Sequence, residues 1–462
     1  MCGIVGIISD YPVDGNLIMK KLALLQHRGQ ESYGSGEIAP RAIGSGDRDI
    51  GSRGDMDRIA TRHYTGHVNP GPNSTCVAAV AHTRYSTSGK DNASVRPQPY
   101  VSASSPAIAI VHNGNVPDAE ILAKSLGLTA AMTCDSELFI NYLTSHTHTY
   151  TVEKALIQLL HKVPGAYSLI VLTFDPEGKP VMYAVRDRYG IRPLCVGRRA
   201  LVGVQATEFS YCYASESVAL ENYLLLGDIQ PGSIVKCDGH GQEVVYQMKP
   251  LQSGSRPCSF ETIYFKSHRS LNIYNQRYAL GYELGLAEDM PAQSAHTSKP
   301  IVVCMPNTAI SYAEGFAQAT GLQFHKTWVQ KVNPDRTFIL PTQALRIEAC
   351  SKVYSVNKEI AGRVIYLVDD SIVRGNTMKA IIKQLRLIGV LEIHVRVGSP
   401  PVINPCVYGI DIPSSTELIA HGRTISDVST IIGSDTLKYL PVEQLCQSST
   451  ACTRCFGGDM LW

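Results

Sequence analysis

The most constraining stretch of this chain runs from Arg363 to Met378, R-V-I-Y-L-V-D-D-S-I-V-R-G-N-T-M. It opens with an unbroken apolar run, Val364-Ile365-Tyr366-Leu367-Val368, the pattern of a buried parallel strand. Two adjacent carboxylates, Asp369 and Asp370, end the run. A small polar loop, Ser371 to Thr377, follows, with Gly375 permitting tight backbone approach. Met378, Ile381, Ile382 and Leu385 then recur at helical spacing. A loop that leads into a helix N-terminus offers unbonded N–H groups and a positive dipole end to a phosphate. Paired acids beside it hold sugar hydroxyls, or a Mg²⁺ that screens a pyrophosphate. An ordinary strand-to-helix turn capped by Asp370 or Ser371 is the plain alternative, and the run Ser-Ile-Val-Arg-Gly-Asn-Thr after two acids argues against it.

This segment resembles the 5-phosphoribosyl 1-pyrophosphate (PRPP) loop of the type I phosphoribosyltransferases. The resemblance implies that Ser371, Arg374, Gly375, Asn376 and Thr377 grip the ribose 5-phosphate and that Asp369 and Asp370 take the ribose hydroxyls.

The bulk properties leave room for more than one domain. The chain has 462 residues, 44% of them hydrophobic, enough for two or three sizeable cores. A formal net charge of +2 points to neither nucleic acid nor an anionic membrane as partner. No apolar run approaches the ~18 residues of a membrane span. Met1 leads straight into Cys-Gly-Ile-Val-Gly-Ile without a charged, cleavable leader, so a soluble, cytoplasmic protein is expected. Thirteen cysteines, an odd number, fit selective use better than a disulfide framework. Cys76, Cys134, Cys195 and Cys304 lie in apolar or mixed runs and read as core fillers.

Removal of Met1 would leave Cys2 with its own α-amine, a nucleophile and base in one residue. From position alone, a buried cysteine at the edge of a first strand is an equal reading. Polar clusters follow at strand and helix ends: His27-Arg28-Gly29-Gln30-Glu31-Ser32, Ala81-His82-Thr83-Arg84-Tyr85-Ser86-Thr87-Ser88-Gly89, His112-Asn113-Gly114-Asn115 after the strand Ile108 to Val111, and Cys134-Asp135-Ser136-Glu137. Together they resemble the class II glutamine amidotransferases, N-terminal-nucleophile (Ntn) hydrolases with a four-layer αββα sandwich. The resemblance covers residues 2–235. It implies that Cys2 attacks a glutamine amide, that Asn113 and the Gly114 N–H form the oxyanion hole, that Arg84 pairs with the substrate α-carboxylate and that Asp135 binds its α-ammonium. His27 and His82 invite a metal-pair reading, but no acid or thiol follows at metal-like spacing, so both are expected to be structural hydrogen-bonders. Arg186 to Leu194, Ala214-Ser215-Glu216 and Pro231 to Val235 read as framework.

Residues 236–257 shift to Gly, Gln, Ser and Lys and read as a strand pair plus linker. From 258 to 446 a β-α-β order supports a parallel sheet with ligands at strand carboxyl ends, where Asn307-Thr308 and Asp369-Asp370 fall. The whole chain is therefore expected to be an Ntn-hydrolase α+β sandwich followed by a type I phosphoribosyltransferase α/β domain. That pairing resembles the amidophosphoribosyltransferase family. It implies glutamine and PRPP as substrates, ammonia released at Cys2, displacement of pyrophosphate to give 5-phosphoribosylamine in purine synthesis, purine nucleotides as feedback inhibitors, a homotetramer, and Mg²⁺ on Thr308, Asp369 and Asp370.

A C-x-x-C, Cys452-Thr453-Arg454-Cys455, lies in a tail at 447–462 and alone is open among redox, zinc and iron–sulfur readings. In the iron–sulfur branch of the family, cysteines in the contexts of Cys258, Cys406, Cys452 and Cys455 hold a [4Fe–4S] cluster; four thiolates also suit zinc. The match thins in the second half. Asn307 stands where the family has an acid, and Asn376 where it has Thr. Lys266-Ser267-His268-Arg269 replaces Arg-Pro-Asp. Gln330 to Asp335 before Arg336-Thr337-Phe338 lacks the usual basic stretch, and Cys350-Ser351-Lys352-Val353 carries fewer cations. Two readings follow: a working amidophosphoribosyltransferase, or a diverged glutaminase whose second domain only binds PRPP or nucleotide as a sensor.

Overall fold

The computed structural model describes residues 2–40, 59–69, 71, 74–85, 97–102, 106–200, 209–251, 254–288, 299–332, 354–412, 414–446 and 451–461. Ser86-Thr87-Ser88-Gly89, Arg336-Thr337-Phe338 and Cys350-Ser351-Lys352-Val353 therefore lie outside the described residues. The chain divides into two compact units, Met1–Pro257 with Val407–Asp411, and Cys258–Cys406 with Ile412–Leu461. No helix among the described residues is long and apolar enough to cross a membrane.

The first unit contains β1 (Gly3–Asp14), α1 (Asn16–Ala23), β2 (Ser32–Ile38), β3 (Ala60–Thr65), β4 (Thr75–Arg84), β5 (Tyr100–Val101), β6 (Ala109–Asn115), α2 (Ala119–Ser125), α3 (Ser136–His146), α4 (Val152–Lys162), β7 (Ala166–Phe174), β8 (Pro180–Arg186), β9 (Cys195–Ala200), β10 (Phe209–Ala214), β11 (Leu224–Asp228), β12 (Ser233–Cys237) and β13 (Gln242–Gln247). One seven-stranded sheet runs β11-β9-β10-β1-β4-β2-β3 and a six-stranded sheet runs β13-β12-β8-β7-β6-β5. Strand alternation assigns the layers. Ile4 and Ile8 of β1, Ala78 and Val80 of β4, and Ala109 and Val111 of β6 share the core between the sheets. Val5, Ile7, Ala79 and Ala81 face the other way, onto Ile18, Met19 and Leu22 of α1. Ile108, Ile110 and Leu169 pack beneath α3 and α4. The result is the expected αββα order of layers.

α4 shows why these elements form. Thr151 caps it by accepting the Lys154 N–H, and Val152, Ala155, Leu156, Leu159 and Leu160 bury one stripe. Truncating Leu156, which is fully buried, would cost about 2–5 kcal/mol. The strand pair expected near residue 240 is β12 and β13. It extends the six-stranded sheet through the pairing of β12 with β8, so this part of the boundary segment belongs to the fold rather than to a linker.

The second unit contains α5 (Ile273–Leu286), β14 (Ile301–Cys304), α6 (Ile310–Thr320), β15 (Gln323–Phe324), β16 (Val329–Lys331), β17 (Tyr354–Val356), β18 (Val364–Asp369), α7 (Asn376–Ile388), β19 (Glu392–Val397), α8 (Ile425–Ile432) and β20 (Thr436–Tyr439). A five-stranded sheet runs β15-β14-β18-β19-β20, with every pairing parallel. α5 and α6 approach closely because both carry glycines at the contact: a Cβ on Gly281 would lie 2.0 Å from the Tyr312 carbonyl oxygen, and one on Gly315 would lie 2.0 Å from that of Tyr278. α8 is held by a capping box between Thr424 and Asp427 and ends at Gly433, φ +85°.

Candidate active site

In the first unit, Gly3 of β1 pairs with Thr83 of β4, and Ile4 pairs with His82. Alternation therefore directs Cys2, His82 and Arg84 to the side of Ile4, toward the second sheet. On that sheet Asn113 shares the inward face of Ala109 and Val111. The expected clusters thus meet where the two sheets face each other, although β4 and β6 run on through Arg84 and Asn115 where loops were expected. β6 stays paired as far as Asn115 with Ala166, because its polar residues are still bonded by the ladder.

Two contacts seat Cys2. Its thiol lies 3.7 Å from the Tyr85 carbonyl oxygen. Its own carbonyl accepts from Arg28 Nε at 3.0 Å. Arg28 is in turn paired with Glu216 through Nη1 and Oε1 at 2.5 Å, with both side chains fully buried, and His27 Nε2 lies 2.8 Å from the same oxygen. Burial alone would raise the Glu216 carboxyl, but the charges and hydrogen bonds of His27 and Arg28 outweigh it and hold the group well below the usual carboxylate range. This anchor was read from the sequence only as a polar loop and framework; no spacing signal joins residues so far apart.

Burial pushes the Cys2 thiol up; the chain's amino terminus and Arg84 oppose that rise, and Asp135 adds to it. Arg84 and Asp135 are therefore within electrostatic reach of the sulfur. Asp135 precedes α3 and accepts from the Val116 N–H at 3.0 Å. Gly29 lets its loop press on Arg84: a Cβ there would sit 2.5 Å from the Arg84 carbonyl carbon. Gly114 is equally required, since a Cβ would lie 2.0 Å from the Ala166 carbonyl oxygen. Asn113 is fully buried, and neither amide atom has a hydrogen-bond partner among the described residues. A buried polar group left so costs about 1–3 kcal/mol, which marks it as waiting for a ligand or water.

The two histidines part company. His27 is a hydrogen-bonder to Glu216, as expected. His82 is not: it is fully buried, and neither ring nitrogen has a partner among the described residues, so the expectation of a structural hydrogen-bonder is corrected. Burial holds it well below its ordinary range, hence neutral. His112 lies on the other face of β6, with Nδ1 at 2.8 Å from Ser136 Oγ. Residues 407–411 complete this region. Asn115 Nδ2 donates to the Val407 carbonyl at 2.9 Å, Tyr85 Oη donates to Asp411 at 3.0 Å, and Gly409 adopts φ +100° where a Cβ would meet Gly114 at 3.1 Å.

In the second unit, β14 lies between β15 and β18, so the strand order reverses beside β14, the place where open α/β sheets bind ligands. Pro306-Asn307-Thr308 leaves the end of β14 while Asp369 and Asp370 end β18, with Cys304 registered against Val368. Asp370 N–H donates to Asp369 Oδ1 at 2.9 Å and Ser371 Oγ donates to Asp370 Oδ1 at 2.6 Å. Burial, then the neighbouring Asp370 charge, raises Asp369 well above the usual carboxylate range. Gly375, φ +75°, precedes α7, which therefore starts at Asn376, two residues earlier than the periodicity places it. A Cβ on Gly375 would strike Ile419 at 2.4 Å. The Arg374 guanidinium is engaged by Glu417 at 2.6 Å, in the wall of a cavity of about 280 Å³ shared with Asn376, Lys379 and Arg423.

The four tail-associated cysteines gather within the second unit. Cys258 and Cys452 form a parallel bridge, and Ser259 Oγ donates to the Cys452 carbonyl at 2.7 Å. The Cys455 carbonyl accepts from Ile403 and Asn404 at 2.9 and 3.1 Å, two residues before Cys406. Burial, then Cys258, Cys406 and Cys452, pushes the Cys455 thiol well above its ordinary range. Among the described residues, no group of three or more His, Cys, Asp or Glu side chains is arranged as a ready-made metal-ion site. Cys76, Cys195 and Cys304 are buried as expected, whereas Cys134 is half-buried, 3.2 Å from Tyr100 Oη.

Residues 82–221 match the glutamine amidotransferase domain family. The chain is 33% identical to the amidophosphoribosyltransferase of Mycobacterium bovis, over 99% of this chain and 85% of that protein. It is 33% identical to that of Archaeoglobus fulgidus, over 97% and 93%, and 31% identical to amidophosphoribosyltransferase 1, chloroplastic, of Arabidopsis thaliana, over 99% and 78%. The glutamine PRPP amidotransferase of B. subtilis, solved with ADP and GMP, superposes with a TM-score of 0.81 at 28% identity, covering 100% of this chain and 97% of that one. The chain belongs to the amidophosphoribosyltransferase family.

Proposed function

We propose that this chain converts glutamine and PRPP into glutamate, 5-phosphoribosylamine and pyrophosphate, the reaction that opens purine synthesis. The observation that carries the glutamine half is the buried, unpartnered Asn113 amide on the sheet facing Cys2. With Met1 removed, the Cys2 α-amine takes the thiol proton and sulfur attacks the glutamine amide carbon. Asn113 Nδ2–H and the Gly114 N–H receive the oxyanion, while Arg84 and Asp135 hold the substrate's α-carboxylate and α-ammonium. Collapse expels ammonia, and water then releases glutamate from the thioester.

In the second unit, the ammonia lone pair attacks C1 of PRPP, the C1–O bond to pyrophosphate breaks, and the nitrogen sheds a proton. Ser371, Arg374, Gly375, Asn376 and Thr377 are assigned to the ribose 5-phosphate, and Asp369 and Asp370 to the ribose hydroxyls. Mg²⁺ held by Thr308, Asp369 and Asp370 would supply the positive charge that screens departing pyrophosphate. The electrostatic stress on the acid pair supports that assignment. We place the chain in the iron–sulfur branch, with Cys258, Cys406, Cys452 and Cys455 holding a [4Fe–4S] cluster that pins the tail. The B. subtilis relative was solved with ADP and GMP, which supports purine nucleotides as ligands here. A cytoplasmic homotetramer completes the reading.

The deciding experiment uses anaerobically purified protein with glutamine and Mg²⁺, with and without PRPP, and follows glutamate and pyrophosphate together. Equal, PRPP-stimulated release of both is expected. Glutamate without pyrophosphate, also when ammonia is supplied, would reject the transferase half.

A further inference from the structure

An oxyanion hole needs its amide turned the right way. Asn113 can stabilise the developing oxyanion only if Nδ2–H points at it, and Oδ1 must then face a donor elsewhere. None of the described residues donates to Oδ1. On the facing sheet His82 is fully buried and in the same condition, its two ring nitrogens lacking partners among the described residues; Ser32 Oγ of β2, registered against Arg84, is orphaned as well but is a short hydroxyl two residues further along the strand. His82 pairs with Ile4 of β1 and with Gly34 of β2, and shares the inward face of Ala78 and Val80. Asn113 shares the inward face of Ala109 and Val111 across the same core. Two orphaned polar groups on facing strands of a closed core are normally satisfied by an interior water. The other nearby imidazole, His112, is on the opposite face of β6; its Nδ1 is bonded to Ser136, and its Nε2, without a partner among the described residues, lies on that opposite face too.

We propose that His82 is a positioning residue for glutamine hydrolysis: its ring N–H donates, through one interior water, to Asn113 Oδ1 and thereby aims Asn113 Nδ2–H at the oxyanion. A neutral imidazole suits the task, having one donor for the water and one acceptor, and adding no charge beside the thiol. The assignment rests on the Cys2 and Asn113 roles proposed above.

The test measures kcat and KM for glutamine hydrolysis in full-length C2A, N113A, H82L, H82Q and H82L/N113A, with thermal melting of each. H82L is expected to lower kcat about 10- to 100-fold, part of the ~10²–10³ lost with an oxyanion donor, and to leave KM within twofold. H82Q keeps an N–H donor and is expected to recover most of kcat. H82L/N113A is expected to be no slower than N113A, because both changes disable one device. Kcat of H82L within threefold of the parent, a loss that falls on KM, equal damage in H82Q and H82L, or multiplicative losses in the double variant would each overturn the proposal. If H82L does not fold, H82M against H82Q decides on the same criteria. Parental kcat in C2A or N113A would instead refute the underlying site, whereas loss in N113A with parental H82L would refute only the role of His82.

Discussion

Replacing Glu216 by Gln tests the anchor beneath Cys2. The substitution keeps shape and removes the carboxylate charge that faces the Arg28 guanidinium, which is 1% exposed. Removing one partner of a buried pair costs about 3–5 kcal/mol, since the other charge stays desolvated. At about 2–4 °C per kcal/mol for a unit of this size, the first unit should melt roughly 6–20 °C lower. The sign of the pH dependence follows from the depressed Glu216 pKa. Its stabilisation is fully present above the unfolded glutamate value of about 4.3 and fades as pH falls through the lower folded value. The gap between parent and E216Q is therefore constant near neutrality and closes under acid. A second variant separates stability from anchoring. R28M/E216L replaces the pair by apolar groups and should regain most of the melting temperature, yet glutaminase kcat should stay low, because the Arg28 bond to the Cys2 carbonyl is gone. Melting curves by circular dichroism at pH 7 and below pH 4, with a glutamate-release assay, read all of this. An E216Q midpoint within 2 °C of the parent, or full glutaminase activity in R28M/E216L, would show that the ion pair does not do what its burial implies.

Three other substitutions probe the remaining parts. G114A places a Cβ 2.0 Å from the Ala166 carbonyl oxygen and should abolish soluble expression or glutaminase activity, scored by yield and glutamate release. D370N should cut pyrophosphate release at least 100-fold with ammonia as nitrogen donor while leaving PRPP-independent glutamate release within twofold, since Asp370 belongs to the second unit. C455S should lower the iron content of anaerobic protein by more than half and lower the melting temperature; retained iron at parental levels would remove Cys455 from the ligand set.

What could be read from residues alone was local. The strand that ends in Asp369-Asp370 needed only an apolar run and a glycine loop. The inward placement of Cys2, Arg84 and Asn113 needed only alternation along β1, β4 and β6. The Arg28–Glu216 pair was not legible, because its members are 188 positions apart and each sits in an unremarkable polar stretch. His82 was misjudged for a physical reason. A histidine in a strand is expected to find a partner on the ladder or a loop, and here its side chain enters a core where none of the described residues offers either. The strand boundaries slipped at His112 to Asn115 because polar composition signals a loop only where the ladder has ended.

Val407–Asp411 belongs to the first unit although, among the described residues, it is the last part of that unit to be synthesised. A ribosome delivers the chain from the N-terminus, and domains begin to fold as they emerge. The two sheets of the first unit are complete by Gln247, but Asn115 and Tyr85 then wait for Val407 and Asp411, some 290 and 330 positions downstream of them. At ~5–20 residues per second, the interval from Gln247 to Asp411 lasts roughly 8–30 seconds. During that time the nascent chain carries a finished sandwich whose Asn115 and Tyr85 lack these two bonds. This order of delivery makes the sheet edge at Asn115 and Tyr85 one of the later pieces of the first unit to close, after the strands of the second unit's sheet up to β19 have been made.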